Sequence, residues 1–181
     1  MSVVISGIST ELPKQQSVQD KSISQGGLDM LECLVIGDSI AVGISHFRKE
    51  CVSYAQTGWT SSKWNQQYLQ TFNQQLPVKS LIISLGTNDS KAVNTIAELN
   101  KIRENVKSGT RVFWVLPPKA KLVQREMVRE VADIWGDTWL SVPDAELAGD
   151  KIHPTRDGYR NIAEEPARRA RVLADISLVK D

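Results

Sequence analysis

From Leu31 onward, short apolar runs alternate with stretches of helical spacing. That alternation narrows the possible folds more than any other feature of the chain. The runs cover residues 31–36, 51–55, 80–85, 111–116 and 138–142. The first and third are largely apolar, as expected for strands buried on both faces. Between and after the runs, the spacing predicts five helices. The first is short, over 40–48. The second is capped by Ser61 or Ser62 and runs to about residue 75. In the third, Ala92, Val93, Ile96, Leu99, Ile102 and Val106 recur at helical spacing and Gly109 closes the helix. The fourth carries Leu122, Val123, Met127, Val128, Val131, Ala132 and Trp135. The fifth is capped by Thr155 and runs to about residue 174. Repeated β-α units of this length imply a parallel sheet with right-handed crossovers. The expectation is an α/β protein: a flavodoxin-like, three-layer α/β/α arrangement whose five-stranded parallel sheet has the order 2-1-3-4-5.

Residues 1–29 differ from this pattern. They are rich in Ser, Gln and Gly, and only Val3-Val4-Ile5 would supply a strand. They read as an extended N-terminal arm or linker closed by Gly26-Gly27, with residues 30–181 as the folded domain. Such a segment is either a loose terminus or an arm for a partner protein or for self-association.

Composition excludes several classes. A length of 181 residues suits one domain with a substantial core. The 22 Lys and Arg against 21 Asp and Glu leave a formal net charge of +1, so nucleic acid is not an expected partner. No apolar run approaches the roughly 18–20 residues of a membrane span. The opening MSVVISGISTELPKQQ lacks the basic and apolar regions of a secretory signal. The protein is therefore expected in the cytosol, or associated with a virion and of phage origin, or exported with its signal already removed. Cys33 and Cys51 form neither a disulfide framework nor a metal-site spacing. They read as small buried hydrophobes, and whether they meet depends on which strands are neighbours.

The candidate chemistry lies at the ends of the predicted strands. Ser39 follows the first strand in Gly37-Asp38-Ser39-Ile40 and opens a helix. A serine hydroxyl becomes a nucleophile only with a base to take its proton and donors to stabilise the oxyanion. Taken alone, Ser39 reads as a helix cap. The chain has two histidines. His46 lies two helical turns beyond Ser39 and cannot readily fold back to it. His153 lies in the loop before the last helix, in Asp150-Lys151-Ile152-His153-Pro154. A carboxylate three residues earlier can accept the imidazole Nδ1–H and fix its tautomer. The alternative is a turn-forming aspartate beside a surface histidine. Candidate oxyanion donors are the Ser39 N–H, the Gly58 N–H and the Asn88 amide in Gly86-Thr87-Asn88-Asp89. Gly58 and Asn88 are also ordinary turn residues. Trp59, beside Gly58, would either stack on a sugar ring or anchor its loop. No metal cluster, phosphate-binding glycine loop or cofactor fingerprint is visible, so no cofactor is expected.

Jointly and in this order, the four segments resemble the blocks of the SGNH hydrolase superfamily, the GDSL esterases and lipases. Gly37-Asp38-Ser39-Ile40 matches its Gly-Asp-Ser-Leu block with Ile for Leu. Gly58 matches the block-two glycine, Gly86-Thr87-Asn88-Asp89 matches Gly-x-Asn-Asp, and Asp150 to Pro154 matches Asp-x-x-His-Pro. The resemblance covers about residues 31–174 and implies Ser39 as nucleophile, His153 as base and Asp150 as its orienter. Ser39, Gly58 and Asn88 would form the oxyanion hole. The Gly-x-Ser-x-Gly elbow of α/β-hydrolases is absent. Members of the superfamily cleave carboxylic esters and thioesters. The short core, without a large insertion for an acyl tunnel, favours a small acyl group such as acetyl on a glycan or cell-wall polymer. The rivals are a thioesterase or lysophospholipase, and a non-catalytic component of a larger assembly held through residues 1–29.

Overall fold

A computed structural model describes residues 30–75 and 77–178, with side chains as far as residue 172. The predicted arm and its Val3–Ile5 strand lie outside the described residues. Strands β1 (Leu31–Gly37), β2 (Val52–Ala55), β3 (Val78–Ser84), β4 (Arg111–Val115) and β5 (Thr138–Leu140) form one sheet in the order β2-β1-β3-β4-β5. Every pairing is parallel, as the alternation predicts.

The apolar runs exist because the sheet has two cores. Leu34, Ile36, Leu81, Ile83 and Trp114 face one side. There they meet Trp64 and Phe72 of α2 (Ser61–Asn73), Leu99 and Ile102 of α3 (Thr95–Glu104), and Val128 and Val131 of α4 (Leu122–Trp135). Val35, Ile82, Phe113 and Val115 face the other side. They meet Ile40, Ala41 and Ile44 of α1 (Ser39–Ser45) and Ile162 and Ala163 of α5 (Arg156–Leu178). Each fully buried Leu, Ile or Val side chain contributes about 1.5–3 kcal/mol.

Several boundaries differ from expectation. Helix α2 is capped by Thr60, whose hydroxyl accepts from the Lys63 N–H, and not by Ser61 or Ser62. Ser61 is drawn instead into a buried bond with Asp89. Helix α3 starts behind Asn94 and stops at Glu104, so Gly109 belongs to the turn before β4. Helix α1 ends three residues early, with His46 as its C-cap. Helix α5 is longer than predicted and carries Pro166 inside it. Its predicted cap is in place, with the Gly158 N–H donating to Thr155 Oγ1 at 3.2 Å.

The cysteine expectation requires correction. Cys33 and Cys51 form a disulfide, with Cα atoms 4.7 Å apart. The reason is register. Leu34 pairs with Val52, so the preceding residues of the two adjacent strands lie side by side.

Candidate active site

Ser39, Gly58 and Asn88 all follow the carboxyl ends of the three adjacent strands β2, β1 and β3. Their loops start in contact: the Gln56 N–H donates to the Gly37 carbonyl at 3.0 Å and the Asp38 N–H to the Ser84 carbonyl at 2.9 Å. Gly37 is required here, because a Cβ would stand 1.9 Å from the Ser84 carbonyl oxygen.

Ser39 is the first residue of α1. Its Oγ lies 2.9 Å from His153 Nε2. His153 Nδ1 in turn lies 2.6 Å from Asp150 Oδ2. With the Nδ1 proton facing the carboxylate, Nε2 is left to accept the serine hydroxyl. The other oxygen, Asp150 Oδ1, accepts the Ile152 and His153 backbone N–H groups at 2.9 and 3.0 Å. Lys151 makes this turn tight with a left-handed φ of 59°. The His153 side chain, then the backbone N–H groups of His153 and Ile152, hold the Asp150 carboxyl well below the usual carboxylate range. The loop is itself pinned: Ala148 N–H donates to the His153 carbonyl at 2.8 Å, and Thr155 N–H to that of Glu146 at 2.7 Å.

Asp38 forms the floor beside Ser39. Its Oδ1 accepts the Ile40 N–H at 3.0 Å and the Ser84 hydroxyl at 3.2 Å, while Oδ2 is buried without a partner. Burial pushes its carboxyl up to about 6, against the pull of those hydrogen bonds. Tyr159, in the first turn of α5, is half-buried nearby. Burial, followed by the charges of Asp38 and Asp150, pushes its phenol up to about 12.

The oxyanion candidates occupy the rim. Gly58 is exposed in the turn after β2 with φ of 77°. Asn88 is exposed after β3, and one N–H of its amide donates to the Trp59 carbonyl at 3.0 Å. That bond ties the two loops together and leaves the second amide N–H for another acceptor. Trp59 packs its ring 5.2 Å from that of Tyr68, with the Lys63 ammonium 5.5 Å from its centroid, so it anchors its loop onto α2. The residue as a whole is half-buried. His46 is exposed at the far end of α1.

Two residues were not singled out by sequence reasoning. Asp89 is buried and accepts from the Ser61 N–H at 2.8 Å, the Ser61 hydroxyl, and the Thr95 hydroxyl at 2.8 Å. It thereby ties α2 and α3 to the Asn88 loop. Its signal was its place beside Asn88, with a serine and a threonine opening the flanking helices. Tyr159 carried no comparable signal.

Cavities of about 760 and 450 Å³ run beside α5, lined in part by Arg111, Thr138 and Val172 and by Trp139, Pro143 and Asn161. Neither is lined by Ser39, Asn88 or His153. Among the described residues, one group has metal-like spacing: Cys33, Glu50 and Cys51. Its two sulfurs are bonded to each other.

By sequence, no protein-family model and no curated protein matches the chain. Solved structures do share its fold. The C-terminal catalytic domain of Streptococcus pneumoniae peptidoglycan O-acetyltransferase A superposes with a TM-score of 0.57 at 19% identity, over 82% of this chain and 97% of that one. A GDSL-like lipase from Bacteroides thetaiotaomicron gives 0.57 at 18% identity, over 80% and 89%. A carbohydrate acetylesterase from Sinorhizobium meliloti gives 0.58 at 13% identity, over 78% and 99%. The chain therefore has the three-layer α/β/α fold of the GDSL-type esterases and lipases.

Proposed function

We propose that the chain is a serine esterase of the SGNH type. The observation that carries this reading is the row Ser39 Oγ, His153 Nε2, His153 Nδ1, Asp150 Oδ2, with successive contacts of 2.9 and 2.6 Å. Such a row activates a hydroxyl that is otherwise inert at neutral pH. In this reading Ser39 Oγ attacks the ester carbonyl while His153 takes its proton. The Ser39 N–H, the Gly58 N–H and the free amide N–H of Asn88 stabilise the oxyanion. His153 then protonates the departing alcohol, leaving an acyl group on Ser39. Water, deprotonated by the same imidazole, releases the acid and restores the serine.

For the substrate, we favour a small acyl group, acetyl foremost, on a glycan or cell-wall polymer. One observation supports it. Two proteins of the same fold are described as a carbohydrate acetylesterase and a peptidoglycan O-acetyltransferase. The test is hydrolysis of p-nitrophenyl acetate, butyrate and octanoate by the wild type and Ser39→Ala. The reading predicts turnover that depends on Ser39 and falls steeply with chain length. A preference for octanoate would instead favour a thioesterase or lysophospholipase, and turnover equal in Ser39→Ala would remove the esterase.

A further inference from the structure

Ser39 and His153 are 114 residues apart and belong to different elements, yet they meet at 2.9 Å. Ser39 is fixed to α1 and His153 to the loop that α5 anchors through Thr155. The spacing of α1 and α5 therefore sets the distance between the two reacting groups. Besides the shared apolar core of Ile40, Ala41, Ile44, Ile162 and Ala163, three contacts bridge the two segments. The Arg160 guanidinium lies 5.9 Å from the Phe47 ring centroid, and Arg48 Nη1 donates to the Ala163 carbonyl at 2.7 Å. The third lies nearest the site. The Tyr159 ring rests directly on the backbone of Gly43, so that a Cβ there would stand 2.2 Å from Cε1 and 2.3 Å from Cζ. Position 43 on α1, and positions 47 and 48 just beyond its end, thus face 159, 160 and 163 on α5.

We infer that Gly43 and Tyr159 act as a spacer that holds Ser39 within hydrogen-bonding reach of His153. The inference rests on the serine esterase reading. The ring, and not its hydroxyl, does the positioning: it fills the gap that the missing side chain of Gly43 leaves. A methyl group at position 43 would require the ring or the helix to yield by roughly 1 Å to reach ordinary van der Waals separation. A displacement of that size at a reacting pair can cost on the order of 100-fold in rate.

The experiment measures Ser39 labelling by a fluorophosphonate together with kcat and KM on p-nitrophenyl acetate. The variants are Gly43→Ala, Tyr159→Phe, Tyr159→Leu and the double variant Gly43→Ala/Tyr159→Leu, each checked for folding by near-UV circular dichroism. Gly43→Ala is expected to lower kcat and the labelling rate together by about 10- to 100-fold, with KM within about twofold. Tyr159→Phe should keep both rates, Tyr159→Leu should lose part of them, and the double variant should exceed Gly43→Ala. Wild-type rates in a folded Gly43→Ala would overturn the spacer, as would a loss in Tyr159→Phe equal to that in Tyr159→Leu. Should Gly43→Ala not fold, the contrast between Tyr159→Phe and Tyr159→Leu decides alone, equal rates overturning the inference. A wild type that is not labelled at Ser39 would instead sink the esterase reading itself.

Discussion

Asp150 uses its two oxygens for different ends. Oδ2 faces the imidazole, and Oδ1 gathers two backbone N–H groups of the same turn. Asp150→Asn keeps an acceptor for the turn but replaces the charge that stabilises an imidazolium. The expected outcome is a loss of about 10²–10⁴-fold in kcat with little change in melting temperature, checked by steady-state kinetics beside a thermal melt. Asp38 behaves oppositely. Burial pushes its carboxyl up to about 6 in the folded state, above the ordinary carboxylate range. The native state therefore holds its proton more tightly. The associated stability is fully present below about pH 4 and is lost as pH rises through about 6, a difference of about 3 kcal/mol. Denaturant melts of the wild type and Asp38→Asn between pH 4 and 7 should differ in slope, with the wild type losing stability relative to the variant. Parallel curves would contradict this account of the buried carboxylate.

At the scale of elements, the central strands β1, β3 and β4 were legible because most of their residues are buried and read as largely apolar runs, while the partly exposed edge strands β2 and β5 are shorter. Helix ends were less so. Thr60, Ser61 and Ser62 are all competent caps, and only the buried carboxylate of Asp89, 28 residues on, decides that Ser61 turns inward. Gly109 looked like a helix stop because the turn before β4 needs a glycine too. The disulfide was illegible for a different reason: two cysteines separated by 18 residues meet only if β1 and β2 are neighbours in the observed register. Closing a loop of that length should stabilise the fold by about 3 kcal/mol. Cys51→Ser, or reduction of the wild type, is expected to lower the melting temperature by roughly 6–12 °C. An unchanged melting temperature would mean that the bond contributes nothing.

For the whole molecule, the candidate site was visible because parallel strands deliver their carboxyl ends to one rim. Four segments far apart in the sequence each follow a strand or precede the last helix, and the fold brings Ser39, His153 and Asp150 into one hydrogen-bonded row. What the sequence could not show is the supporting layer. Asp89 acts through two helix starts, and Tyr159 acts through a glycine on another helix. Neither partnership has a sequence period. The central claim concerns a covalent step at Ser39. Its most direct test is acid-quench of the wild type during turnover of p-nitrophenyl acetate, followed by peptide mass mapping. The account predicts one acetyl group on the peptide containing Ser39, and none in Ser39→Ala. Steady turnover with no acetyl on that peptide in the quenched wild type, and undiminished in Ser39→Ala, would contradict it.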